Sequence, residues 1–302
     1  MRHVYVVEPY RANGGTFMAY HLARILDRDF GFAPVAVGAA EPSHGMFDYE
    51  ALLPHIPLDA LEGAITDDDL LLANPSFSRL SLGLRCRGRK IMYVQGFNTF
   101  SLLDCRFHHY VSASRFVKTY IERTYGIRTK VIMPFIDAGH FPAPIPWAQR
   151  PAGSILVSQK EAPPEILAHL RALLPQTDFG TVLEHGIPHR ELVARLGQVR
   201  TFLTLSPAEG FGLMPLEAMA MGTTVVGFDG FGGREYMRPG RNCAVVAYAD
   251  MEGLAQRLKR VGEDLRHAAR LAAAGHATGR SDRYSYARFR SDWGRYFRSI
   301  GL

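Results

Sequence analysis

The chain has 302 residues, 47% of them hydrophobic, with a formal net charge of +6 and three cysteines. That length suits two hydrophobic cores, and no apolar run reaches the length of a bilayer span. Cys86, Cys105 and Cys243 are scattered and odd in number, which fits neither a zinc pattern nor a disulfide framework. The opening M-R-H-V-Y-V-V-E-P runs straight into an apolar strand without a signal-peptide core, and the cysteine pattern leads to the expectation of a reducing cytoplasm.

Short apolar runs alternate with helical patterns along the whole chain, the mark of α/β units on parallel sheets. A first strand is expected over His3–Val7, a turn at Gly14–Gly15, and a helix over Thr16–Leu26. Strands follow at Pro34–Val37, Leu70–Ala73, Lys90–Val94, Tyr110–Val111 and Lys130–Ile132, and a helix over Ser114–Tyr125 with Ser114 as its N-cap. Residues 133–152 then hold five prolines, too many for helix or central strand. A linker is therefore placed at 136–152, between an N-terminal domain at 1–135 and a C-terminal domain at 153–280.

The second half restarts the alternation. It offers a strand at Ser154–Val157, a helix over Pro164–Leu174, a helix over His189–Leu196, and a strand at Thr201–Leu205. A helix from Leu213, strands at Thr223–Gly227 and Cys243–Val246, and one long helix over Met251–His276 complete it. A last aromatic and basic helix, about Tyr284–Ser299, lies in a segment 281–302 that could pack back on the N-terminal domain.

The positive balance, with an isoelectric point near 9.3, collects in two clusters. One is Arg79, Arg85, Arg87, Arg89 and Lys90; the other is Arg280, Arg283, Arg288, Arg290, Arg295 and Arg298. A solvated surface and a membrane-facing one remain open alternatives. The aromatic residues between the C-terminal arginines favour a helix packed on a domain surface, and no nucleic-acid partner is expected. Asp67-Asp68-Asp69 precedes a strand and reads as a solvated turn rather than a metal site.

Ligands of open α/β sheets bind at the carboxyl ends of the strands. The distinctive loops fall at such ends: Gly14–Gly15, Lys160, Glu209–Gly212 and Gly230–Gly233. Gly210 and Gly212 let backbone approach a ligand closely. The helix beginning at Leu213 offers free N–H groups and a positive dipole end to phosphate, and Pro215 in its first turn costs nothing there. Lys160 could add a full charge, Glu217 could bind a ribose diol, and Glu209 could bind sugar hydroxyls. Taken singly, each has an ordinary alternative: a turn glycine, a surface lysine, a favourable first-turn acid. Their joint placement after strands is what points to a site.

These residues carry a resemblance. E-G-F-G-L-M-P-L-E-A-M-A-M-G, V-V-G-F-D-G-F-G-G-R-E and P-G-R-N-C-A-V-V, within 206–246, resemble the donor region of retaining glycosyltransferases of family 4, glycosyl transferases group 1. Seven residues separate Glu209 from Glu217, as in that family. Asn13-Gly14-Gly15, V-I-M-P-F-I-D at 131–137, and Gly186-Ile187-Pro188-His189 extend the likeness. It implies the GT-B fold, two Rossmann-like domains facing a central cleft. It implies that Glu217 holds the ribose, Glu209 contacts the donor sugar, and the N–H groups of Phe211, Gly212 and Leu213 cradle phosphate or sugar. Gly14 and Gly15 would admit the diphosphate or acceptor, Gly186 would lie near the base, and Lys160 would neutralise the leaving diphosphate. No metal and no cofactor are implied. The partners implied are a nucleotide-sugar donor and a glycan or lipid-linked acceptor, at the inner face of a membrane.

Two positions depart from the family pattern. Gln159 stands where an Arg is usual, and Gln95 stands where the acceptor cleft usually has a His, so Gln95 can act only through hydrogen bonds. Arg11, Arg234 or Arg238 could replace the missing charge. The rivals are a non-enzymatic module binding a sugar nucleotide or a partner subunit, and an epimerase or phosphorylase of the same fold. A Rossmann dehydrogenase lacks its G-x-G-x-x-G after the first strand.

Overall fold

The computed structural model describes residues 1–10, 13–43, 49–184 and 186–302. The chain divides into two compact units, Met1–Phe135 with Ala287–Leu302, and Ile136–Tyr286.

The first unit is built on β1 (Arg2–Val7), α1 (Gly14–Phe30), β2 (Phe32–Val37), β3 (His55–Ile56), α2 (Leu61–Ala64), β4 (Leu70–Ala73), α3 (Leu82–Arg85), β5 (Arg89–Val94), β6 (His109–Ser112), α4 (Arg115–Tyr125) and β7 (Lys130–Val131). All seven strands are parallel, in the order β3-β2-β1-β4-β5-β6-β7. Such sheets are covered on both faces, so their strands read as unbroken apolar runs. Val4 to Val7 and Leu70 to Ala73 are accordingly buried residue after residue.

Gly14 and Gly15 do not form the expected turn. They are the first residues of α1, because Asn13 caps the helix with its side-chain oxygen on the Thr16 N–H. Asp69 likewise is not solvated: it is buried, and its carboxylate accepts from the His3 and Thr66 N–H groups and the Thr66 hydroxyl. It ties the starts of β1 and β4 together. Ser114 caps α4 as expected, accepting from the Val117 N–H.

The second unit contains β8 (Ile155–Ser158), α5 (Pro164–Leu173), β9 (Thr181–Val182), α6 (His189–Leu196), β10 (Thr201–Thr204), α7 (Leu213–Ala220), β11 (Thr224–Phe228), β12 (Ala244–Val246), α8 (Met251–Glu263) and α9 (Leu265–Gly279). Its five parallel strands run β12-β11-β10-β8-β9. Strand β9 has two residues, too short for a sequence pattern to show. The expected single helix over Met251–His276 is two helices. Asp264 ends α8 and caps α9 through the His267 N–H, interrupting an otherwise continuous helical composition.

The proline-rich stretch is packed rather than loose. Arg150, 2% exposed, donates to the carbonyls of Ile145, Val199 and Met221 and to the Thr223 hydroxyl. The Trp147 ring N–H reaches the Arg200 carbonyl and the Thr224 hydroxyl. Burial lowers the Arg150 pKa to about 10, which still leaves it charged at neutral pH.

The chain ends in α10 (Tyr286–Ser299), of which residues from Ala287 onward cluster with the first unit. Phe289, Trp293 and Phe297 are buried, meeting Phe135, Tyr93 and Phe30 with ring centres 5.0, 5.1 and 5.2 Å apart. These aromatic residues pack in a core, not on a lipid surface. Among the arginines between them, Arg290 pairs with Asp29, and Arg288 and Arg295 both pair with Asp292.

Candidate functional site

In the second unit the strand order reverses between β8 and β10, which lie side by side while their following segments depart in opposite directions. A crevice opens at such a switch point, at the carboxyl ends of the strands. The chain leaving β8 carries Gln159 and Lys160. The chain leaving β10 carries Ser206 and Glu209 to Gly212.

These two segments meet. Lys160 Nζ donates to Glu209 Oε2 at 3.1 Å, and the Ser206 hydroxyl donates to Glu209 Oε1 at 3.2 Å. Burial opposes the charge on Lys160, but the adjacent Glu209 carboxylate outweighs it and raises the ammonium pKa. The pair is part-exposed, so it is open to exchange with an incoming anion.

Backbone bonds hold Glu209 in place. Its N–H donates to the Gly230 carbonyl at 2.7 Å, and the Gly232 N–H donates to the Glu209 carbonyl at 3.0 Å. This parallel bridge joins the loop after β10 to the loop after β11. It demands glycine at 232: a Cβ there would lie 2.4 Å from the Gly210 carbonyl carbon. Gly212 caps α7 with a φ of +83°, in the left-handed region, and its carbonyl accepts from the buried Tyr236 hydroxyl. Burial, with Glu209 adding to it, pushes the Tyr236 pKa well above its ordinary value. It therefore stays a donor.

Phe211 is buried, its ring centre 5.4 Å from Tyr236 and 6.1 Å from Tyr284. Its side chain anchors the loop, so only its backbone is available to a ligand. The first-turn N–H groups of Leu213 and Met214 have no intrahelical acceptor, and Pro215 has no N–H to satisfy.

Glu217 sits one turn further along α7 and is buried. Its Oε1 lies 2.7 Å from Nε2 of His189, the first residue of α6. Among the described residues this is the carboxylate's single side-chain bond. In the sequence, His189 belongs to the likeness only as the last residue of Gly186-Ile187-Pro188-His189. Its pairing with Glu217 had no sequence signal, since 28 residues separate the two. Gly186, exposed and at φ +83°, lies just ahead of α6; His185 is outside the described residues.

The candidates for a replacement cation resolve in different ways. Arg234 pairs with Asp229 at 2.8 Å. Arg238 donates to the carbonyls of Arg234, Glu235 and Met237. Arg11 lies outside the described residues.

The first unit has its own switch point, between β1 and β4. Gln95, just after β5, donates through Nε2 to the Gly15 carbonyl at 3.1 Å, fixing the start of α1. Glu8 follows β1 directly, is 2% exposed, and accepts from Asn74 Nδ2 at 3.4 Å. Burial raises its pKa to about 8, the Asn74 bond opposing only weakly. Sequence reasoning passed over Glu8, although an acid directly after an apolar strand, in V-V-E-P, was the available signal. Among the described residues no group of three or more His, Cys, Asp and Glu is placed to hold a metal ion. No helix there is long and apolar enough to cross a membrane.

Two all-parallel Rossmann-like units, the second with a helix N-terminus and paired Lys160 and Glu209 at its switch point, define a GT-B fold. Solved structures of similar fold span the whole chain. Sucrose-phosphate synthase from Thermosynechococcus elongatus superposes with a TM-score of 0.70 at 14% identity, covering 99% of each chain. Anabaena HepE in complex with UDP and glucose gives a TM-score of 0.75 at 16% identity, covering 99% of this chain and 100% of the other. The lipopolysaccharide outer core galactosyltransferase WaaB gives 0.72 at 13% identity, with the same coverage. At such identities the likeness is one of fold. The sequence is more specific in the second unit: residues 181–278 match the family described as Glycosyl transferases group 1. No curated protein matches the chain.

Proposed function

We propose that this protein is a retaining glycosyltransferase that moves a sugar from a nucleotide-sugar donor to an acceptor hydroxyl. The observation that carries this is the Lys160–Glu209 pair at 3.1 Å across the β8/β10 switch point, beside the N-terminus of α7. It puts a cation, helix N–H groups and a carboxylate suited to sugar hydroxyls in one place, and Glu209 and α7 lie within the residues, 181–278, that match group 1 glycosyltransferases. The Glu217 carboxylate, steadied by His189, takes the ribose diol. Lys160 and the N–H groups of Phe211 to Leu213 take the diphosphate. Glu209 holds donor-sugar hydroxyls, and Gly186 lies by the base.

In the transfer, the bond from the anomeric carbon to the diphosphate oxygen breaks, and its electron pair leaves with the diphosphate. The acceptor oxygen bonds to the same face of the anomeric carbon and its proton passes to the departing phosphate oxygen. Lys160 and the helix end stabilise the charge that develops there, so the chemistry is positioning and leaving-group stabilisation without a metal. Gln95, with Gly14 and Gly15, orients the acceptor by hydrogen bonds only. HepE complexes contain UDP and UDP-glucose, which makes UDP-sugars the first donors to test. WaaB acts on lipopolysaccharide by its description, in keeping with a cell-surface glycan or lipid-linked acceptor used at the inner face of a membrane.

The test is calorimetric titration with UDP, GDP and ADP and their sugars, followed by donor hydrolysis with and without EDTA. Binding of one nucleotide series, turnover insensitive to EDTA, and a product of unchanged anomeric configuration are expected. Absence of nucleotide binding overturns the donor site. Inversion overturns the mechanism, and binding without turnover supports the non-enzymatic module instead.

A further inference from the structure

Arg150 carries a charge into the interior of the second unit with no carboxylate to meet it. It is 2% exposed, makes no ion pair among the described residues, and stays charged at neutral pH. Burying an unpaired cation is costly, so its surroundings must offset that cost. They do so with helix ends. Helix α6 stops at Leu196 and α7 at Ala220. The last carbonyls of a helix lack an intrahelical donor and carry the negative end of its dipole.

Arg150 Nη2 donates at 2.6 Å to the carbonyl of Met221, the C-cap of α7. Nη1 donates to the Thr223 hydroxyl at 2.8 Å and to the Val199 carbonyl at 2.7 Å. The Thr223 hydroxyl in turn donates to the carbonyl of Leu196, the last residue of α6. One guanidinium and one hydroxyl thus tie the carboxyl end of α6 to that of α7. The planar guanidinium makes its bonds in fixed directions, which an ammonium on a flexible stem cannot do.

The same two helices meet again at the donor site. His189 is the first residue of α6, and its Nε2 lies 2.7 Å from Glu217 Oε1 on α7. With eight residues, α6 rises only about 12 Å, so a tilt at its carboxyl end reaches His189. A displacement of about 1 Å takes the contact beyond hydrogen-bond length.

We infer that Arg150 is a positioning residue of the donor site: by holding the carboxyl ends of α6 and α7 together, it sets His189 against Glu217. It acts through these residues rather than on a ligand, and its role rests on the reading that Glu217 takes the ribose.

The experiment reads the full chain twice. Imidazole nitrogen NMR resonances of His189 report its hydrogen bond and need no ligand. Calorimetry with UDP, GDP and ADP gives the nucleotide affinity. In Arg150→Lys the His189 resonances should move toward their positions in Glu217→Ala, and affinity should fall about two- to tenfold, the effect of one hydrogen bond. In a His189→Ala background the same change should weaken binding less than about twofold, because the contact it supports is already gone. Thr223→Val removes the linking hydroxyl, should act as Arg150→Lys does, and carries the test if that variant does not fold. Asp250→Ala removes the N-cap of α8 and should lower the melting temperature with both readings at parent values. Parent-like His189 resonances in Arg150→Lys and Thr223→Val, or equal losses of affinity with and without His189, would overturn the positioning role alone. Absence of nucleotide binding by the parent would overturn the donor-site reading on which it rests.

Discussion

His189 Nε2 lies 2.7 Å from Glu217 Oε1, joining the first residue of α6 to the buried face of α7. The contact fixes one oxygen of a buried carboxylate, and in the proposed site the other oxygen meets the ribose. Replacing His189 by Ala removes this support. Nucleotide affinity should fall by about 1–3 kcal/mol, the cost of leaving a buried polar group without its partner. Glu217→Ala should weaken binding at least as much. Calorimetry with the nucleotide alone measures both, and full affinity in His189→Ala would show that the contact does not position Glu217.

Lys160 is proposed to act on the leaving diphosphate rather than on the ribose. Its loss should leave nucleoside binding nearly intact while lowering turnover about 10²- to 10³-fold, as expected when one preorganised group is removed from a developing charge. Glu209→Gln should raise KM for the donor sugar more than it affects nucleotide affinity. Steady-state kinetics alongside nucleotide titration separates the two residues. Equal effects of both variants on nucleotide affinity would argue against divided roles.

Gly232 is tied to Glu209 by a backbone hydrogen bond and by the space it leaves. A methyl group there meets the Gly210 carbonyl at 2.4 Å and the Glu209 carbonyl oxygen at 2.5 Å, backbone atoms that cannot yield cheaply. Gly232→Ala should therefore displace the bridged loops and destabilise the second unit by about 1–3 kcal/mol. Donor binding should be lost with it, while the first unit keeps its fold. Denaturant unfolding with a nucleotide titration reads both effects.

Glu8 makes the stability of the first unit depend on pH. Its carboxyl pKa rises from 4.5 to about 8 on folding, because burial disfavours the charged form. The folded state then binds more protons than the unfolded state between those values, so stability falls as pH rises through that window. At about 1.4 kcal/mol per pH unit, the loss is on the order of 5 kcal/mol at most. Glu8→Gln keeps the shape without the ionisation. Its melting temperature should change less than that of the parent between mildly acidic and mildly alkaline buffer. A parallel pH profile in the two proteins would show that Glu8 is not the group responsible.

Much of this protein was legible in one dimension. Apolar strand runs such as Val4–Val7 and Leu70–Ala73 marked two parallel sheets, because a strand covered on both faces must be apolar at every position. Glu209, Gly210, Gly212 and Glu217 stood out because a loop, its helix cap and the following helix are contiguous in sequence. What depended on distant residues was not visible. Two local caps also went against expectation: Asn13 starts α1 where a Gly-Gly turn is expected, and Asp264 divides an expected single helix, each accepting from an N–H three residues on. The partners of Lys160 and Glu217, and the buried setting of Glu8 beside Asn74, come from strand order, which places segments dozens of residues apart at one end of a sheet. Local chemistry is written in neighbouring residues. Which side chains meet, and which carboxyl group loses its water, was settled by tertiary packing alone.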